Sequence, residues 1–164
     1  MQEEKTLETT KAPVIDANLV ETAKTELENH KKSLKGKVYP VKVKDGASID
    51  GFINFIDHKA EWKSMEAIGI VEVSKILNEV KNQPLKDSCF FLPNLALEAL
   101  SFFLNRVTGE GKEKAESFLT MFKPINQAMG MVKADTDKMH ELKRKLAAAE
   151  HGISIEEKIE GNDE

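Results

Sequence analysis

The chain has 164 residues, a formal net charge of −4, and 40% hydrophobic and 32% charged residues, a balance that suits one folded domain and excludes a disordered polymer or a fibrous repeat. Its single cysteine, Cys89, rules out an intramolecular disulfide, and no apolar run reaches the roughly eighteen residues of a membrane span. The opening stretch MQEEKTLETTK lacks the apolar core of a secretion signal, so the expectation is a cytoplasmic or otherwise intracellular protein with no membrane partner.

Residues 1–12 are polar and are expected to form a flexible N-terminal segment, ahead of a single mostly helical domain over 13–160 and a flexible tail at 161–164. A first helix is predicted from Asp16 to Leu34, where Leu19, Val20, Ala23, Leu27 and Leu34 recur at helical spacing and Gly36 supplies a stop. Val38, Tyr39, Val41 and Val43 then alternate with lysines as a strand. Pro40, which has no N–H to give a neighbour, makes it an edge strand. The partner expected for it is the alternating run GISIEEKIE at 152–160, whose acids would face those lysines.

Ser48 is a helix cap for the stripe Ile49, Phe52, Ile53 and Ile56, and this helix is preferred over a strand in which Ile49, Gly51, Ile53 and Phe55 share a face. A longer helix is expected over 59–81, with Trp62, Met65, Gly69, Val73, Ile76, Leu77 and Val80 on one side. Pro84 ends it, and Phe90, Phe91 and Leu92 lead into Pro93. The segment LALEALSFFLNRV is apolar nearly all round, which suits a central helix, and its Glu98 needs a partner if it lies inside. After a turn at 108–111, Ala115, Phe118, Leu119 and Phe122 mark a helix interrupted or kinked at Pro124. The pattern resumes through Met129, Val132, Met139, Leu142 and Leu146 and stops at His151-Gly152.

These elements predict a mostly α fold, a single-domain helical bundle with a small accessory β strand pair, with α+β as the alternative. No internal repeat or linker divides it.

Charge is unevenly placed: residues 31–45 carry six lysines against Asp45, and residues 150–164 carry six acids against Lys158. Lys31, Lys32, Lys35, Lys37, Lys42 and Lys44 form a candidate basic patch. Nucleic-acid readers favour arginine, and the chain has only Arg106 and Arg144. Lysines on an edge strand also serve to discourage unwanted pairing, so a solvated edge, able to meet an acidic protein, is the preferred reading.

No histidine sits in a metal-binding spacing, and no metal or cofactor is expected. Asp57, His58 and Glu61, like Asp137, His140 and Glu141, are clusters of the kind common on exposed helices. Gly109 to Gly111 lacks the strand and the lysine-serine end of a phosphate loop, and Cys89 lies in an apolar run that gives its thiol no reason to ionise. Phe118, Met121, Phe122, Met129, Met131 and Met139 fit core packing or an adaptable surface. Met129, Val132, Met139, Leu142 and Leu146 are the protein-interface candidates, as a near-heptad seam with Asp135 where an apolar residue belongs.

The functional expectation is a non-enzymatic protein–protein interaction or assembly module, bound to a protein partner or to its own copy. The alternative is a nucleic-acid-associated accessory protein using the lysine-rich edge, and the third reading is an enzyme with an unrecognised active site.

Overall fold

The structure is a computed structural model that describes residues 14–43 and 48–153. In chain order these residues form α1 (Ala17–Leu34), β1 (Val38–Lys42), α2 (Ile49–His58), a 3-10 turn (Ser64–Glu66), α3 (Ala67–Lys81), β2 (Cys89–Pro93), α4 (Asn94–Leu104) and α5 (Lys112–Glu150). The fold is mostly helical with one small antiparallel strand pair. The expected tails and Lys44 lie outside the described residues.

The chain divides into two compact units. One is Leu34–Thr136, and it holds the main core. Tyr39 and Val41 of β1, Phe90 and Leu92 of β2, and Phe52, Phe55 and Ile56 of α2 are buried there, with Val73, Leu77 and Val80 of α3. α4 contributes Ala96, Leu97, Leu100, Phe103 and Leu104, and α5 adds Ile125, Ala128 and Val132. The central place expected for α4 is the one it takes, since five of its side chains are buried. Glu98 is exposed and accepts a hydrogen bond from the Asn94 side-chain amide at 2.8 Å.

The other unit takes its described residues from 14–33 and 137–153. It pairs most of α1 with the last part of α5, burying Ala23, Leu27 and Leu142. Lys24 approaches Glu150 at 3.9 Å, while Ser33 and Lys138 line the same cleft, so the two segments run antiparallel.

The strand pair exists, but the described partner of β1 is β2, with Val41 opposite Phe90. The run proposed as partner lies outside the described residues from residue 154 on. Cys89-Phe90-Phe91-Leu92 conceals its strand character because Phe90 and Leu92 point into the core while the alternate side chains are themselves half-buried. No polar alternation is left to read. A tight turn precedes it, with Asp87 and Ser88 both at positive φ (54° and 57°) and Lys86 and Cys89 exchanging backbone hydrogen bonds.

Pro40 is placed as its chemistry requires. The Val43 N–H donates to the Ser88 carbonyl, and the alternation of an antiparallel ladder then turns the backbone of Pro40 away from β2. Its missing donor therefore costs the ladder nothing.

α2 is a helix, as preferred, and Ser48 caps it: the Ser48 hydroxyl accepts from the Gly51 N–H at 3.1 Å. Ser48→Ala should remove about 1 kcal/mol of stability in urea unfolding. An unchanged midpoint would show that the cap is dispensable.

Two boundaries differ from expectation. The helix predicted over 59–81 begins only at Ala67, because residues 60–63 are not helical and a 3-10 turn intervenes. α5, by contrast, continues through Pro124 without interruption. Pro124 and Ile125 are both buried, so core packing holds the helix across a residue that cannot donate to the Thr120 carbonyl.

Candidate functional site

The late shift in the start of α3 changes which side chains meet water. Val73, Leu77 and Val80 stay on the buried face. Trp62 and Met65, expected on that face, are exposed, Met65 at 93%. The helical phase that would have carried them inward does not reach back past Ala67. Ile68 is 72% exposed, and Val71 is exposed with it. Ile68 and Val71 are three residues apart on α3 and so share one side of the helix, while Met65 stands in the 3-10 turn that precedes it. Ala67, Ile68 and Val71 line a shallow hollow bordered by Glu72 and Lys75. Sequence reasoning missed this face, although Ile68 and Val71 already stood outside the buried stripe and were the available signal.

Beside this face Glu66 accepts from the Lys63 backbone N–H at 2.8 Å and from the Arg106 guanidinium at 2.6 Å. Those two contacts, the Lys63 N–H first, hold its carboxyl below the usual range. Arg106 also lies over the Phe102 ring, 5.1 Å from its centroid. The start of α3 is thereby tied to the end of α4.

The expected interface residues on α5 are distributed differently. Val132 is buried in the core of Leu34–Thr136, with Met129 packed against that core. In the other unit Leu142 is 6% exposed, and Met139 and Leu146 are half-buried. Phe118 and Phe122 stack at 5.3 Å and also pack against the core with Met121, whereas Met131 is exposed.

Asp135, the apparent fault in the seam, has partners from another element. Its Oδ2 accepts from the Tyr39 hydroxyl at 2.8 Å and from the Lys37 ammonium at 2.5 Å. Burial, and then the Asp135 carboxylate, push the Tyr39 phenol up to about 12.

The basic-patch lysines are not equivalent. Lys31 pairs with Glu28 at 2.6 Å, and Lys37 with Asp135. Lys32, Lys35 and Lys42 are exposed, and none makes an ion pair among the described residues. The polar clusters are also partly engaged: Asp57 accepts from the Ser74 hydroxyl at 2.8 Å, and Glu141 pairs with Lys145 at 2.8 Å. His58 and His140 are exposed.

Cys89 is half-buried rather than enclosed, because its face of β2 is only partly covered. Among the described residues no group of three or more His, Cys, Asp or Glu side chains could hold a metal ion, and no helix is long and apolar enough to cross a membrane. No protein-family model matches the chain, and neither a curated protein nor a solved structure matches it.

Proposed function

We propose that the chain is a non-enzymatic protein-interaction or assembly module that works inside the cell, with the outer face of α3 as its main contact surface. The observation that carries this reading is the exposure of Ile68 and Val71 at one hollow of α3, with Met65 exposed in the turn just before it. Scattered apolar residues on a surface need no explanation, but neighbouring ones at helical spacing retain an unfavourable contact with water that association removes. Burying one such side chain is worth about 1.5–3 kcal/mol. The flanking Glu72 and Lys75 supply both signs of charge at the border, which suits a protein surface better than a polyanion. A nucleic-acid role for the lysine edge is the second reading, weakened by the carboxylates that Lys31 and Lys37 already hold. An unrecognised active site is the third.

Oxidative footprinting of Met65 tests the proposal in dilute protein, in concentrated protein and in native extract. Met65 should be protected in at least one of the last two. Ile68→Glu should abolish that protection while changing stability by less than about 0.5 kcal/mol, as expected of an exposed position. Equal oxidation of Met65 under all three conditions would refute the α3 contact.

A further inference from the structure

A second surface carries a different chemistry. Lys42 at the end of β1 and Lys123 on α5 line one cleft of about 470 Å³ with Leu119, Thr120, Pro124 and Gln127. Neither lysine makes an ion pair among the described residues. The one acid in the cleft, Glu116, approaches Lys112 at 3.5 Å, so the local balance is cationic. Leu119, an exposed leucine, gives the cleft an apolar wall, behind which Pro124 is buried.

The Thr120 hydroxyl at the cleft is already engaged, since it donates to the Glu116 carbonyl at 2.9 Å. The cleft therefore presents two cations, a side-chain amide at Gln127 and an apolar wall.

We propose that this cleft binds an acidic peptide segment of a partner protein, in which two carboxylates bracket an apolar side chain. Lys42 and Lys123 take the carboxylates, and Leu119 takes the apolar side chain. A nucleic-acid strand fits less well, because the cleft has no arginine or aromatic group to hold bases. This inference stands apart from the α3 contact, which lies on other residues and either of which can hold without the other.

The test is fluorescence anisotropy with a pool of labelled peptides carrying two acids around one leucine at several spacings. A lysine-substituted pool and a single-stranded oligonucleotide serve as comparisons. The acidic pool should bind and the lysine pool should not. Lys42→Glu and Lys123→Glu should each weaken binding about fivefold, the effect of turning one exposed attraction into a repulsion. Lys123→Arg should keep it, and circular dichroism should show every variant folded. Ile68→Glu should leave peptide binding unchanged, which separates failure here from failure at α3. Absence of binding by the acidic pool, equal binding by the charge-reversed variants, or tighter binding of the oligonucleotide would overturn the proposal.

Discussion

Phe52→Ala should lower the stability of the protein by about 3–5 kcal/mol, the cost of removing a large aromatic ring from a closed core. Phe52 is fully buried on α2, and its ring meets Phe90 of β2 edge to face, with centroids 5.8 Å apart and planes at 64°. Two contributions are lost together. The burial of the ring on folding is forfeited, and the core side chains around it, Phe90 among them, cannot all relax into the cavity left behind. The aromatic pair adds about 0.5–1.5 kcal/mol that a double-mutant cycle with Phe90→Ala isolates. Urea unfolding gives both figures, and Phe52→Leu should recover most of the loss by refilling the space. A loss below about 1 kcal/mol for Phe52→Ala would mean that α2 does not close over β2 as described, a result outside the range for buried aromatic truncation.

That contact also marks the limit of what the chain discloses as a sequence. α1, α2 and α4 are legible because their patterns are local: Ser48 stands immediately before the stripe of Phe52 and Ile56, and α4 is apolar enough to require neighbours on several sides. β2 is not legible, since a strand covered on both faces reads as an unbroken apolar run. The pairing of Val41 with Phe90 spans a long stretch of chain, and nothing in either segment names the other. The face on α3 was hidden for a smaller reason. One 3-10 turn before Ala67 is enough to break the phase that assigned Trp62 and Met65 to the interior. Lys42 and Lys123 are far apart in sequence, so a cleft between them could only come from the fold. Lys42 was visible as a member of a lysine run, and Lys123 gave no sign.

Asp135→Ala is the second large effect, because it leaves the Tyr39 hydroxyl without its acceptor in a residue only 5% exposed. An orphaned buried hydroxyl costs about 1–3 kcal/mol. Asp135→Asn keeps an oxygen for the hydroxyl and should lose less, while forfeiting the ion pair with Lys37. Tyr39 is the only tyrosine in the chain, so its ionisation can be followed by tyrosinate absorbance alone. In the folded protein the phenol is pushed up to about 12 from an ordinary 10.0. The fold therefore prefers the protonated form. This contribution to stability is whole below the ordinary value, fades as pH rises through the interval up to the folded value, and is gone above it. Burial is the largest cause of the shift, with the hydrogen bond to Asp135 and its negative charge behind it. Asp135→Ala removes the last two and leaves the first, so the midpoint should fall part of the way back and not the whole way. Circular dichroism on the same samples separates this shift from alkaline unfolding. An unchanged midpoint in Asp135→Ala would show that the carboxylate does not act on Tyr39, and the apparent fault in the α5 seam would then need another explanation.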